Sequence, residues 1–227
     1  MEQFKIPQLR SIATSMGIKI PSNSLKKDII SLLMSPRTIQ FRGGSVVKYP
    51  EIKVDRTILR KGAWLNSINI NDTMKFYENE YKGSFKFIGT LPIDFGPEFY
   101  TLSLNKIAEK FIGVIFNTGT TASGGKHWIS LFINKDERTI CFFDSNGNNP
   151  QHQIKTFINK INVDNYTILI NKNTKQFSEG TCGLFALYFI IERLRGKSCK
   201  NLFISKENND KTMEKLRCKI FKHGKIE

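Results

Sequence analysis

The amino-acid sequence predicts an α+β domain with a small helical unit before it. Segments with helical periodicity alternate with short apolar runs along most of the chain, which is typical of a domain that mixes helices with strands. With 227 residues, of which 40% are hydrophobic and 18 are Phe, the chain can bury a sizeable core. We predict strands at 112–116, 127–134, 138–144 and 166–170, and helices at 71–81, 151–163 and 183–195.

The predicted helical unit covers residues 1–35. Apolar residues recur at helical intervals in 8–16 and in 25–34, and a glycine and a proline separate the two segments. This pattern resembles a SAP-like helix–extended–helix module, a fold often used to bind DNA. The alternative is an arm that packs on the main domain. Residues 36–61 contain two Pro and two Gly and are interpreted as a linker.

The main domain is expected over 62–195, and a basic C-terminal segment over 196–227 follows it. The first helix of this domain can be capped by Asn71 or Asp72. Its last helix, 183–195, is apolar nearly all round, and we therefore expect this helix in the middle of the domain.

The positive charge of the chain lies in its two terminal parts. The net charge is +15: residues 1–61 carry 12 Lys/Arg against 4 Asp/Glu, and 193–227 carry 11 against 4, whereas 62–192 carry 12 of each. Basic flanks favour a polyanionic partner, above all nucleic acid, through an attraction that weakens with salt. The alternative is a solvated surface that keeps the chain soluble.

The four cysteines are Cys141, Cys182, Cys199 and Cys218, and they show neither a CxxC pair nor metal-ligand spacing. The N-terminus lacks the pattern of a signal peptide, and no apolar stretch approaches ~20 residues. We therefore interpret the cysteines as free thiols in a reducing compartment. A soluble intracellular protein without a membrane span, a metal or a cofactor is expected.

A predicted hairpin brings a histidine and an aspartate together. If its turn centres on 135–136, His127 lies directly across from Asp144, with Cβ atoms ~5 Å apart on one face. The carboxylate can then hold the imidazole in place as a general base. A shift of one residue would put the two side chains on opposite faces, and a chance meeting of strand ends is the alternative. His152 and His223 are weaker candidates.

Cys182 is the candidate nucleophile. It follows the polar loop 171–181 and immediately precedes the apolar helix, where the positive end of the helix dipole favours a thiolate. Gly183 would let a substrate backbone approach closely, and backbone N–H groups at this point can face a developing oxyanion. A cysteine beside an apolar helix is also commonly a core residue, and Cys141, in the middle of a strand, illustrates that alternative.

Three sequence segments carry a family resemblance: GKHW (125–128), FFDSNGNNP (142–150) and QFSEGTCG (176–183). Together they resemble the adenain/ubiquitin-like-protease clan of cysteine peptidases. Members of that clan carry His-Trp at the start of a strand, Asp or Asn at the end of the next, and Gln six residues before Cys-Gly. The matching residues, in order, are His127, Asp144, Gln176 and Cys182. The segment 64–77 resembles the opening of the catalytic domain in SUMO-specific proteases, and the resemblance covers 62–195.

This resemblance implies a papain-like or adenain-like fold, with a central mixed sheet and the catalytic cysteine on a buried helix. Cys182 would attack the scissile carbonyl as the nucleophile of a Cys-His-Asp triad. His127 would transfer the proton and Asp144 would orient His127. The Gln176 side chain and the Cys182 N–H would stabilise the oxyanion.

Trp64 and Trp128 are expected to wall a narrow channel that admits small residues, as in relatives that cut after Gly-Gly. Core packing is the alternative for both. Ser67 stands where SUMO-specific proteases typically have Asp, which argues against SUMO recognition.

Within the clan, the sequence is most similar to polyprotein proteases of large DNA viruses. The resemblance implies an endopeptidase that processes structural polyproteins at small-residue sites of the Gly-Gly-X type during virion maturation. It would act at assembly sites in the host cytoplasm and in the virion, held on nucleic acid by its basic termini. The alternatives are a protease that removes SUMO or ubiquitin-like proteins, and a DNA-binding scaffold with a decayed protease fold.

Overall fold

A computed structural model describes residues 6–7, 23–27, 29, 48–162 and 164–224 of the chain. The chain divides into two compact units, Met1–Gly43 and Gly44–Glu227. The predicted SAP-like or arm module at 1–35 lies almost wholly outside the described residues. The architecture below is therefore that of the second unit.

The second unit alternates helices and strands, as the sequence predicts for an α+β domain. In chain order its elements are β1 (Ile52–Val54), α1 (Arg56–Leu59), α2 (Ser67–Glu80), β2 (Phe85–Pro92), two 3₁₀ turns (Pro97–Thr101 and Leu104–Lys106), β3 (Phe111–Asn117), β4 (Trp128–Asn134), β5 (Thr139–Phe143), α3 (His152–Ile161), β6 (Thr167–Ile170), α4 (Cys182–Leu194), α5 (Cys199–Ile204), α6 (Asp210–Ile220) and β7 (Phe221–His223).

A mixed five-stranded sheet in the order β2-β3-β4-β5-β6 forms the centre of the unit. β3, β4 and β5 are antiparallel neighbours, whereas the outer strands β2 and β6 each pair in parallel. β3 and β4 are buried over their whole length because both faces of the sheet are covered. The apolar side of α3 packs on one face, and α4 contacts β3 and β4. The buried central helix predicted from its composition is thus confirmed.

Helix α2 begins earlier than its apolar pattern predicts. Asn66 accepts a hydrogen bond from the Asn69 backbone N–H (2.9 Å), and the Asn69 side chain accepts one from the Asn66 N–H (3.1 Å). This reciprocal cap starts the helix at Ser67, so the predicted caps Asn71 and Asp72 lie inside it. β2, which carries a register shift between Phe87 and Gly89, was not predicted at all.

The predicted boundaries at 62 and 195 differ from the structure. β1 pairs in parallel with β7, so the end of the predicted linker joins the end of the predicted basic segment. Residues 48–61 and 196–224 therefore belong to the same compact unit as 62–195. Pairing between strands so far apart in the chain leaves no local signal. No helix among the described residues is long and apolar enough to cross a membrane.

Two cysteines predicted to be free thiols are bonded to each other. Cys141 on β5 and Cys199 at the start of α5 form a disulfide, with Cα atoms 6.4 Å apart. That prediction was wrong for this pair, because 58 residues separate the two and only the fold brings them together. Cys182 and Cys218 are free.

Candidate active site

His127 and Asp144 meet at the open end of the β4–β5 hairpin. The His127 Nε2 and Asp144 Oδ1 atoms are 2.7 Å apart. The predicted register is nevertheless wrong by two residues: Ser130 pairs with Phe143, and the same alignment sets His127 across from position 146. A shift of two residues keeps both side chains on one face, so His127 and Asp144 are diagonal neighbours within reach of each other.

Asp144 is itself held by bonds from two directions. Its Oδ1 atom accepts a hydrogen bond from the Asn146 N–H (2.8 Å), and its backbone carbonyl accepts one from Asn171 Nδ2 (2.7 Å). Asn171 is fully buried at the end of β6. Sequence reasoning missed this residue; the signal available was a polar side chain directly after a strand.

Cys182 is the first residue of α4 and is 1% exposed. Burial by itself lowers the pKa of His127, but hydrogen bonds to Asp144 and Cys182, and the charges on both, raise it to about 9. Because His127 Nε2 bonds to Asp144, the other ring nitrogen is the one available to the thiol. The structure thus brings together a thiol, an imidazole and a carboxylate in a row.

Gln176 lies beside the row of Cys182, His127 and Asp144, and it is held by Ser145, the residue that follows Asp144. The Ser145 hydroxyl donates to Gln176 Oε1 (2.8 Å), and the Ser145 carbonyl accepts from the Gln176 backbone N–H (3.1 Å). Gln176 Nε2 donates to the Ser178 carbonyl (2.9 Å), which uses one of its two N–H bonds. The second N–H can serve an oxyanion.

Trp64 and Trp128 line a groove of about 610 Å³ next to the row. Trp128 is 7% exposed, and its indole N–H donates to the Leu65 carbonyl (2.8 Å), whereas Trp64 is 47% exposed. Trp128 therefore both packs in the core and forms part of the wall. None of the described residues that line the groove is charged: Trp64, Leu65, Asn66, Ser67, Asn71, Thr90, Leu91, Pro92, Asn117, Gly119, Thr120, Thr121, Gly124, Gly125 and Trp128.

The environment of Gly183 differs from the predicted one, in which a substrate backbone approaches this glycine. It is buried, and a Cβ atom at this position would lie 3.1 Å from Leu65 Cβ and 3.2 Å from Trp128 Cδ1. The glycine therefore allows the first turn of α4 to pack against the groove wall. Its side of the helix faces these two residues, so close approach of a substrate is not what this glycine provides.

Comparisons with known proteins identify a family and several relatives. A model of the Ulp1 protease family, C-terminal catalytic domain, matches residues 71–225. A putative thiol protease of Acanthamoeba polyphaga mimivirus is 31% identical over 153 residues, which cover 61% of this chain and 50% of that protein. A cysteine protease of African swine fever virus is 30% identical over 119 residues, or 48% of this chain and 43% of that protein. The chain thus spans about half the length of these curated relatives.

A crystal structure of the African swine fever virus protease has the same fold. Its TM-score is 0.65 at 19% identity, and the match covers 96% of this chain and 80% of that one. The family match, residues 71–225, takes in more than two thirds of the sequence and includes every residue of the row. On that basis the chain belongs to the Ulp1 family of cysteine proteases.

Proposed function

We propose that this chain is a cysteine endopeptidase that uses Cys182, His127 and Asp144 as its catalytic triad. The single observation that carries the proposal is the place of His127, between a carboxylate oxygen 2.7 Å from Nε2 and the Cys182 thiol. An imidazole held on one side by an acid can take a proton from the thiol on its other side.

The chemistry follows from these positions. Cys182 Sγ gives its proton to His127 and attacks the scissile carbonyl carbon, forming a tetrahedral intermediate. The second N–H of Gln176 Nε2 and the Cys182 backbone N–H stabilise the negative oxygen. The intermediate collapses to a thioester as the amine leaves with the proton from His127. Water then attacks the thioester, with His127 as the base, and restores the thiol.

For the substrate, we propose polyprotein segments with small residues before the cleavage site, of the Gly-Gly-X type. An uncharged groove between Trp64 and Trp128 suits an extended peptide without large or charged side chains. Two of the relatives are described as thiol or cysteine proteases of viruses, and we propose that this chain processes structural polyproteins of a large DNA virus during virion maturation. The enzyme would then act at assembly sites in the host cytoplasm and in the virion.

Removal of SUMO or ubiquitin-like proteins is the second candidate function. It is favoured by the Ulp1 family match and by the description of several viral relatives as SUMO-1 cysteine proteases. A SUMO–fluorophore conjugate and a Gly-Gly-X peptide, tested at equal concentrations, separate the two functions. Higher kcat/KM on the SUMO conjugate would contradict the polyprotein proposal.

We also propose a nucleic-acid partner for the basic parts of the chain. The β1–β7 pairing sets Lys53 directly beside Lys222, and Lys211 and Lys215 are exposed on the adjoining helix α6. Several positive charges placed side by side favour the binding of a polyanion. DNA affinity should fall steeply between 50 and 200 mM salt. An affinity that does not change across this titration would contradict electrostatic binding.

A thiol trap tests the proposed catalytic function. A Gly-Gly peptide ending in a vinyl group is expected to modify Cys182, with the modified residue mapped by mass spectrometry. Cys218, which is free and exposed, provides the matched control: Cys218→Ser should still be labelled and His127→Ala should not. Labelling of His127→Ala at the wild-type rate would overturn the assignment of the base. Activity that is retained in Cys182→Ala would favour another nucleophile. A wild-type protein without activity would favour the DNA-binding scaffold with a decayed protease fold.

A further inference from the structure

Five residues, 177–181, separate Gln176 from Cys182, and both ends of this loop are bonded to one carboxylate. Asp210 Oδ2 accepts a hydrogen bond from the Phe177 backbone N–H (2.9 Å). Asp210 Oδ1 accepts one from the Thr181 hydroxyl (2.7 Å). Phe177 directly follows the proposed oxyanion donor, and Thr181 directly precedes the nucleophile. The spacing of these two groups therefore depends on where this carboxylate lies.

Asp210 is the first residue of α6, and another residue of the same helix bonds to Gly180 within the loop. Arg217, which is 1% exposed, donates to the Gly180 carbonyl (3.4 Å) and to the Ile58 carbonyl (3.0 Å). Its guanidinium also pairs with Glu214, whose Oε1 accepts from the Gly62 N–H (3.1 Å). Asp210, Glu214 and Arg217 are spaced at i, i+4 and i+7 and so lie on one face of the helix. This face is directed at the loop and at the segment that supports it.

The loop lies in close backbone contact with the segment that supports it. Gly180 adopts φ +75°, and a Cβ atom at this position would lie 1.8 Å from the Gly62 carbonyl oxygen. Only glycine allows such close contact of two backbones. The loop thus lies against segment 58–62 and is bonded to α6. Of the contacts that α6 makes with the loop, those of Asp210 are at Phe177 and Thr181, the residues next to Gln176 and Cys182.

We propose that Asp210 is a positioning residue that fixes the distance between the oxyanion donor Gln176 and the thiol of Cys182; this inference rests on the proposed function. An ionised carboxylate only accepts hydrogen bonds, so its two oxygens are both satisfied when the two ends of the loop donate to it. The Thr181 hydroxyl does not cap α4; its shorter contact is with Asp210 Oδ1 (2.7 Å), and the Ser178 carbonyl of the same loop lies 3.1 Å from it. The C-terminal segment that the charge pattern assigns to nucleic acid therefore also serves the reaction.

Three variants of the full chain test the clamp against a purely structural role. Asp210→Ala removes both bonds, whereas Asp210→Asn can accept from Phe177 and donate to the Thr181 oxygen, and should restore the geometry. The matched control is Asn209→Ala: Asn209 caps the same helix through the Thr212 N–H (3.1 Å) and does not touch the loop. Each variant is assayed for kcat and KM on a Gly-Gly-X peptide and for melting temperature.

Asp210→Ala should lower kcat about 10- to 100-fold, since a displacement of ~1 Å has effects of that size. KM should change less than about threefold, and Asp210→Asn should recover most of kcat. Asn209→Ala should lower the melting temperature while kcat stays near the wild-type value. If Asn209→Ala reduces kcat as much as Asp210→Ala does, the effect is only structural and the proposal is overturned.

Two thiol reagents locate the defect within the site. A Gly-Gly peptide aldehyde adds reversibly to Cys182, with a bond from sulfur to the carbonyl carbon and the thiol proton transferred to the oxygen, which then occupies the oxyanion position. Iodoacetamide needs only the thiol and His127. Asp210→Ala should raise the aldehyde inhibition constant in step with the loss of kcat and leave alkylation of Cys182 within about threefold. Equal losses with both reagents would contradict positioning of Gln176.

A milder variant keeps the proposal testable if Asp210→Ala does not fold. Thr181→Val removes one of the two bonds and preserves volume, and it should lower kcat by a smaller factor than Asp210→Ala. Where Asp210→Ala does fold, the valine should cost less in that variant than in the wild type, because the bond between the two residues is already lost. Additive losses would contradict the clamp. Wild-type enzyme in which Cys182 resists alkylation would instead contradict the proposed function itself.

Discussion

His127 and Asp144 flank a β-hairpin, whereas Gln176 and Cys182 flank a loop of five residues, and the two pairs are held in place by different bonds. The hairpin belongs to a sheet whose backbone hydrogen bonds continue from β3 to β6. The loop is held by side chains, with Asp210 at both of its ends. We refer to these below as the hairpin side and the loop side of the site.

This difference predicts how each side responds to mutation. Backbone bonds do not depend on the side chain, so on the hairpin side a substitution changes the chemistry of the replaced group and little else. On the loop side the bonds come from side chains that are far away in sequence, Asp210 and Arg217, so residues that never touch the substrate should affect the rate. Ser145 is the link between the sides, since it follows Asp144 and donates to Gln176.

On the hairpin side, Asp144→Ala should produce the largest loss. Asp144 accepts the His127 hydrogen bond and its charge helps to raise the pKa of His127 to about 9. Without this carboxylate only Cys182 opposes the effect of burial, so the pKa of His127 falls. We expect kcat/KM to drop about 10³-fold and its alkaline limb, near pH 9 in the wild type, to move to lower pH.

The raised pKa of His127 also makes the stability of the folded protein depend on pH. The pKa of His127 is raised above its ordinary value of 6.5, so the stability it adds is fully present below pH 6.5 and is lost as the pH rises through about 9. Urea unfolding between pH 6 and 10 measures this loss, which should be smaller in Asp144→Ala, where only Cys182 still raises the pKa of His127. Asp136→Ala, at the exposed hairpin turn, is the control. An unchanged alkaline limb in Asp144→Ala would contradict the assignment of the acid.

The hairpin side could be predicted from the sequence because its residues are close along the chain. His127 and Asp144 lie at the ends of two consecutive apolar runs, so a period of two places them on one face even though the register was wrong by two residues. Gln176 and Cys182 were placed by their resemblance to a family motif.

Support of the loop side could not be predicted in the same way. Asp210 and Arg217 lie in a segment where positive charge was the dominant signal, and their partners are the backbone groups of a loop before α4. No periodicity connects a helix face to backbone groups that far away in sequence. The Cys141–Cys199 bond and the β1–β7 pair escaped prediction for the same reason.

On the loop side, Gln176→Ala is expected to have the next largest effect. Loss of one oxyanion donor costs about 10²-fold in kcat, with KM little changed because the donor acts in the transition state. Peptide hydrolysis and the aldehyde inhibition constant should change together. Gln153→Ala, on the exposed face of α3, should match the wild type. Full activity in Gln176→Ala would leave the oxyanion to backbone N–H groups alone.

The Cys141–Cys199 disulfide joins the two sides. Cys141 is on β5, a strand of the hairpin, and Cys199 begins α5, whose far end supports segment 173–175, which leads into Gln176 and the loop. There the Phe203 carbonyl accepts from Asn173 Nδ2 (3.0 Å), and the Ser205 carbonyl accepts from Lys175 Nζ (2.8 Å). The cross-link therefore tethers the support of the loop to the sheet.

Cys199→Ser should have the smallest effect on the rate and a clear one on stability. A cross-link over 58 residues restricts the unfolded chain by about 4 kcal/mol, which corresponds to a melting temperature about 10 °C lower in the variant. Because α5 keeps its packing in the folded state, kcat at 15 °C should stay within about twofold of the wild type. Wild-type protein reduced at both cysteines should melt with the variant, and Cys218→Ser should melt with the oxidised wild type. A loss of kcat in Cys199→Ser at 15 °C comparable to that in Asp210→Ala would mean that the tether, and not the carboxylate alone, sets the geometry of the loop side.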